Sequence, residues 1–446
     1  DGWVMLRSPI QGPRRAAVAG GLVMVFGLVP ANAVELAPEL RLPGLDQVQP
    51  DIRRRPEPAR NVTPRTRARP ELAPLGARVR AFLLFTRVDL KLGYNDNLRA
   101  DERPLSDLYR VLTPRLELRS DWSRHALKVG ANLASARYRD FPREDYDNWR
   151  AFAEGRVDLG RASTVFGNAS IARQQEDRAA PDSTLGVDPT RYRVTEIGAG
   201  WSHPFGRFEA RLDGTVRDYR FDETDAAGLP AGTLLGEDRN RRSLRGEARL
   251  RYAMWPGYGV FLRGAYSTLD YDEPAPSGIT RDSDGYEAGL GLDLELTDLI
   301  FGSAFVGYYR QRYDAPEFDD NGGLGFGADL YWNLTPLSTL HFEVRRSVQE
   351  SIQPGASGYL STDTGLELEH ELLRNLLLVA SSRYTRRRYD GIDRQETLWQ
   401  HSFGANYLAN RHLQLRLQVV HRRQDGTGGG RAFSQTFVEQ SIVLQH

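Results

Sequence analysis

The chain has 446 residues, no cysteine, and 59 basic side chains balanced by 59 acidic ones, for a formal net charge of zero. That balance excludes the gathered positive field of a nucleic-acid binder. The missing thiols exclude disulfides, thiolate metal sites and a lipid anchor attached through a cleavage-site cysteine. A mean hydropathy of −0.52 argues against a bundle of membrane-spanning helices. It says nothing against strands, in which every second residue can face water. Lys91 and Lys128 are the only lysines, so the arginine excess reads as coding bias.

The chain opens on a secretory-leader pattern. Met5 reads as the start, Arg7, Arg14 and Arg15 form the basic region, and an apolar run follows from Ala16 to Leu28. That run is shorter than the ~20 residues a spanning helix needs. Ala31-Asn32-Ala33 is a small-x-small site, so a signal peptide over 1–33 with cleavage after Ala33 is expected. Residues 34–80 are rich in Pro and Arg (Arg53, Arg54, Arg55, Pro56, Pro58, Pro64, Pro70, Pro74) and lack apolar periodicity. Such a composition cannot bury a core of its own, so an extended, mobile periplasmic segment is expected, either a tether for a partner or a plain linker.

From residue 81 to 446 the pattern has a period of two. The cleanest segment places Tyr286, Ala288, Leu290, Leu292, Leu294 and Leu296 on one face, and Glu287, Gly289, Gly291, Asp293 and Glu295 on the other. Such segments, roughly 12–14 residues long, outrun the usual 5–6. Eighteen of them run from 85–94 to 433–444; 163–176 and 191–203 alternate poorly, which leaves sixteen open. Odd connections are long and polar, as in 222–239. Even ones are tight, as in Trp255-Pro256-Gly257 and Thr335-Pro336. Long strands with alternating connections and one charged face describe an all-β, up-and-down antiparallel barrel spanning an outer membrane, with long loops outside and both ends in the periplasm.

The expected lipid face carries Val88, Leu90, Leu92, Leu112, Leu116, Leu118, Leu324, Phe326, Ala328, Leu330, Leu413, Leu415, Leu417 and Val419. The pore-lining candidates are Arg87, Asp89, Lys91, Arg115, Glu117, Arg119, Arg211, Asp213, Arg245, Glu247, Arg249, Arg251, Glu367, Glu369 and Arg416, with Glu209, Gln414 and Gln418 on the same face. Arginine at mid-bilayer on the lipid side costs about 2–4 kcal/mol, which fixes the direction of the two faces. Opposite charges on that wall are expected to pair across strands. Tyr138, Tyr219, Tyr271, Tyr313 and Tyr389 each end a segment beside charged residues. They are expected at the outer rim as a membrane–water girdle, a path for sugars being the alternative.

Within 90–140 the stretch LKLGYNDNLRADERPLSDLYRVLTPRLELRSDWSRHALKV carries a further signal. Gly93–Asn97, Ser106-Asp107, Thr113-Pro114-Arg115-Leu116, Ser120-Asp121-Trp122 and His125 resemble the opening of the "putative β-barrel porin 2" family. Length and repeat pattern extend the resemblance over most of the chain after the leader. It implies an outer-membrane barrel, some relatives being associated with exopolysaccharide or capsule export, and it carries over no catalytic residues. The chain departs from many barrels in ending Ile442-Val443-Leu444-Gln445-His446 rather than on an aromatic residue read by the barrel-assembly machinery.

Enzyme chemistry finds no foothold. The eight histidines show no metal-ligand spacing, and Asp319-Asp320-Asn321-Gly322 lacks the ligand ladder of a calcium loop. Phosphate loops and dinucleotide fingerprints are absent, so neither cofactor nor metal is expected. The expected function is a channel in outer-membrane lipid, read first as an export port for a surface polysaccharide working with periplasmic export machinery. A diffusion porin for small solutes is the alternative, and an inward-folded loop at 222–239 or 177–190 would favour it. A structural or adhesive barrel blocked by its own ion pairs is the third reading.

Overall fold

The computed structural model describes residues 62–181, 183, 188–225, 234–296 and 299–446. The expected leader, its cleavage after Ala33 and the tract 34–61 lie outside the described residues. No helix among the described residues is long and apolar enough to cross a membrane. The barrel is built from β1 (Phe82–Asn95), β2 (Asp107–Ser120), β3 (Ala126–Tyr138), β4 (Tyr146–Leu159), β5 (Ser163–Gln175) and β6 (Arg191–Phe205). It continues through β7 (Phe208–Phe221), β8 (Arg241–Trp255), β9 (Tyr258–Tyr271), β10 (Ser283–Leu296), β11 (Ile300–Tyr313) and β12 (Asn321–Thr335). It ends with β13 (Ser338–Gln349), β14 (Gly358–Leu373), β15 (Leu376–Asp390), β16 (Gln395–Leu408), β17 (Leu413–Thr427) and β18 (Phe433–Gln445).

Each strand pairs antiparallel with its sequence neighbours, and β1 closes on β18 from Arg87↔Gln445 to Asn95↔Phe437. The Thr86 and His446 amides complete that seam, each donating to the other's carbonyl. Closure leaves no barrel edge, as a sheet in hydrocarbon requires. Eighteen strands about 4.8 Å apart and tilted about 40° enclose a cylinder of roughly 18 Å backbone radius. Segments 163–176 and 191–203 are full strands, so the sixteen-strand alternative is set aside. The long connections include 96–106, 139–145, 176–190, 222–240 and 272–282, but 391–394 and 428–432 are shorter than expected.

The two faces divide as the alternation predicts. Leu90, Leu92, Leu112, Leu116, Leu290, Leu324 and Leu417 are all exposed on the outer wall. So large a continuous apolar surface is stable only against an apolar solvent. Two aromatic belts bound it. Tyr94, Trp149, Tyr266, Tyr286, Tyr308 and Trp399 stand toward the long-loop end; Trp122, Phe205, Phe208, Trp255, Trp332 and Tyr407 stand toward the short-turn end. The rise from Tyr258 to Tyr266 on β9, at about 3.3 Å per residue and a tilt of about 40°, separates the belts by about 20 Å. That approaches the apolar thickness a barrel presents to lipid.

The tyrosines expected in that girdle are elsewhere. Tyr219, Tyr271, Tyr313 and Tyr389 are buried, and with half-buried Tyr138 they share the parity of the charged inner face. Arg241 lies over Tyr219 (4.7 Å), Arg281 over Tyr271 (4.6 Å) and Arg394 over Tyr389 (4.6 Å). The expectation of a lipid-boundary girdle is therefore corrected: these rings face inward at the long-loop end, and Tyr219, Tyr271 and Tyr389 are capped by guanidinium groups. The wall below uses a related device. Phe261 lies across Gly291 and Phe305 across Gly327, where any added Cβ would collide with the ring. Arg249 then stacks on Phe261 at 3.8 Å and Arg263 on Phe305 at 4.5 Å. Glycine opposite an aromatic lets the ring lie flat and hold an arginine against the wall.

Residues 62–80 also depart from expectation. The Ala77–Val79 strand folds back on Phe82–Leu84, and Thr63, Arg65 and Arg69 are buried. The described end of the Pro/Arg tract is ordered against the barrel. Its arginines supply no core of their own, but the barrel supplies carboxylates for them.

Candidate functional site: a lumen narrowed at both ends

The structure places the predicted pore-lining residues on the inner face and joins many of them in pairs. Arg87 holds Asp89 at 2.7 Å, with Arg115 at 3.9 Å from the same carboxylate. Arg119 pairs with Glu117, and Arg211 with Asp213 at 2.7 Å. Arg245 reaches Glu287 (3.2 Å), while Arg249 and Arg251 converge on Asp293 (2.7 Å each). Lys91 meets Glu439 (3.2 Å), which also accepts the Tyr109 hydroxyl proton at 2.5 Å. Arg416 donates to Gln414 at 3.1 Å. Residues the site reading missed complete this lattice: Arg263 pairs with Glu247 at 3.1 Å, and His341 with Asp329 at 3.3 Å. Counting by twos from Phe261 or Thr339 would have found both. Lattices of this kind stiffen the wall and keep its interior polar. Among the described residues no group of His, Asp and Glu is arranged to hold a metal.

Wall side chains alone leave an aqueous bore at this strand number. Two insertions narrow it. At the long-loop end the β5–β6 connection turns inward. Glu176 forms a two-pronged buried pair with Arg239 (2.6 and 3.0 Å), and Arg239 in turn lies on Phe221 (4.2 Å). Arg178 pairs with Glu144 at 2.9 Å. Asp177 reaches Arg422 on β17 at 2.9 Å, with β4, β3, β2, β1 and β18 between β5 and that strand. Arg431 donates to the carbonyls of Arg178 (2.7 Å) and Ala180 (2.6 Å). Ala179 packs with Ala100 and Phe433, which seats the loop tip on the far wall. Of the two candidate constriction loops, 177–190 turns inward in its described part, and Arg239 of the other acts as its anchor.

At the short-turn end the segment before β1 crosses to β14 and to the end of β12, with β18, β17, β16 and β15 between β1 and β14. Arg65 bridges Glu369 (2.6 Å) and Glu367 (3.4 Å), and its backbone N–H also donates to Glu369 (3.3 Å). Arg67 and Arg69 both pair with Glu371 (2.9 and 2.6 Å). Arg67 further donates to the Pro336 carbonyl, and Arg69 to those of Arg374 (3.1 Å) and Pro64 (2.7 Å). Burial pulls the Arg69 guanidinium below its ordinary pKa, against the neighbouring Glu371, which favours the charge. Asn333 donates to the Val62 carbonyl at 3.2 Å, closing the contact.

The family model described as Putative beta-barrel porin 2 matches residues 69–446. The chain belongs to this family. Among curated proteins none matches the sequence. Among solved structures, the outer membrane protein OpdK from Pseudomonas aeruginosa aligns at 12% identity and TM-score 0.42, over 81% of this chain and 99% of its own. OpdL of the same organism aligns at 11% and 0.41, over 82% and 99%. A mutant ferric enterobactin receptor from P. aeruginosa, in complex with enterobactin, aligns at 10% and 0.45, over 81% of each chain. As a member of this family the protein is a porin-like outer-membrane β-barrel, with its lumen narrowed by its own chain at either end.

Proposed function

We propose that the protein is a diffusion porin, admitting small hydrophilic solutes and holding back polymers, with residues 176–181 as the constriction. The observation that carries this reading is the loop itself, tied from β5 across to Arg422 and Arg431. A polysaccharide export port calls for a clear bore and exposed rings for sugars to slide on. Three of the inward tyrosines, Tyr219, Tyr271 and Tyr389, instead lie under arginines. In this reading the long-loop end faces outside, and the segment ending at 62–80 belongs to the periplasmic side, where the short turns lie. The paired charges of the wall offer a hydrated path with a mixed field, which suits small polar cargo better than one sign of ion.

Liposome swelling tests the size limit. Vesicles carrying the barrel are expected to swell quickly in pentose, slowly in tetrasaccharide and not at all in dextran. Changing Arg178→Ala and Arg431→Ala together should raise the limit by freeing the loop. Swelling in dextran by the unaltered protein would count for the wide export port.

A further inference from the structure

Glu367 and Glu369 are both nearly inaccessible, at 6% and 2% exposure, on consecutive inward positions of β14. Among the described residues, the ion pairs of these two carboxylates go to Arg65. That guanidinium belongs to the segment before β1, not to the wall. Of the neighbouring basic side chains of this wall, Arg383 pairs with Glu343, and His341, which stands across from Glu367, contacts Asp329. Glu371, one step further toward the mouth, is held by Arg67 and Arg69 of the same segment.

We propose that residues 62–75 are a tethered cationic plug, and that the strip it covers, Glu367, Glu369 and Glu371, is a binding site for guanidinium- or ammonium-bearing solutes. The inference rests on the porin reading and names a solute class for it. Two carboxylates left inside a protein without a cation are strongly disfavoured. When the segment leaves, they must protonate, fill with water or take another cation. A small organic cation reproduces what Arg65 already does there, a fork of donors on two carboxylates at alternate positions of one strand. Arg65 is thus a tethered stand-in for the solute, and cation and plug compete for one site. The short Thr63–Thr66 turn, with each residue's backbone N–H donating to the other's hydroxyl (2.8 and 3.3 Å), presents Arg65 to the strip as a compact unit.

The test uses the full chain in planar bilayers and proteoliposomes, with agmatine as the cationic probe and sorbitol as the uncharged control. The variant Arg65→Ala/Arg67→Ala/Arg69→Ala is expected to conduct about twofold or more above the parent, with a severalfold rise in K+ over Cl− preference. Agmatine should block it, and further change of Glu367→Gln and Glu369→Gln should remove both preference and block. Equal conductance and selectivity in parent and Arg variant, or indifference to agmatine, would overturn the proposal. A second readout needs no current. The chain has no native cysteine, and Thr63 is 3% exposed, so Thr63→Cys should resist a sulfonated maleimide until agmatine is added, and then label severalfold faster. Labelling unaffected by agmatine would overturn the proposal whatever the currents. Agmatine-dependent labelling with no current from any variant would instead refute the porin reading and keep the displaceable plug.

Discussion

Arginine in place of Leu290 is expected to keep the barrel from inserting stably. Leu290 is 61% exposed and forms one row with Leu262 and Val306 on the adjacent strands, at 56% and 50%. The row lies between the two aromatic belts, where an arginine facing lipid costs about 2–4 kcal/mol. Adding Leu116→Arg, on another sector of the wall, should roughly double that penalty to about 4–8 kcal/mol, because distant sites add. A loss of that size rivals the whole stability of an ordinary domain, about 5–15 kcal/mol. Thr268→Arg shares the outward parity but sits beyond Tyr266, so its cost should be about 0–1 kcal/mol. Urea titration of refolding into vesicles checks the series. Equal midpoints for Leu290→Arg and Thr268→Arg would mean that the belt does not face hydrocarbon.

The second large effect belongs to the constriction. Arg239 and Glu176 are both 3% exposed and bound by two hydrogen bonds. Removing Arg239 by Arg239→Ala leaves a buried carboxylate without its partner, a loss of about 3–5 kcal/mol. The barrel ladder does not pass through that pair, so the loss should fall on the docking of 176–181 and leave barrel unfolding little changed. At about 1.4 kcal/mol per decade, the undocked population should grow roughly a hundred- to a few thousand-fold. Protease nicking between 176 and 190 should accelerate accordingly, and the combined Glu176→Leu/Arg239→Met change should restore much of the protection. Nicking at the parental rate in Arg239→Ala would show that the pair does not hold the loop.

The barrel was legible in the sequence because strands such as β10 keep an apolar face and a face of carboxylates and glycines on strict alternate positions from Tyr286 to Leu296. β5 and β6 blurred because Gly167, Ala169, Gly198, Ala199 and Gly200 place small residues on both faces. There the structure uses Gly200 as the seat for Phe166, a cross-strand need that hydrophobicity does not register. The tyrosines were misread because position at a strand end was weighed above parity. Tyr271 stands an even number of residues from Arg263, so the inward side was countable, whereas Tyr266 has the lipid-facing parity. The two insertions were beyond local reading. Asp177 with Arg422 and Arg65 with Glu369 join parts of the chain more than two hundred residues apart, through a few ion pairs each. Neither segment has a period that points at its partner. A tract of arginine and proline does look unable to fold alone, and its described end, residues 62–80, borrows the carboxylates of β14.

Water is expected to run through this barrel, with residues 176–181 setting the width of its path. Single-channel current through the full chain, beside a chain in which 177–189 are replaced by a short Gly-Ser turn, tests it most directly. A small, steady conductance is expected for the first and a clearly larger one for the second. Equal conductances, or none from either at any voltage, would contradict it.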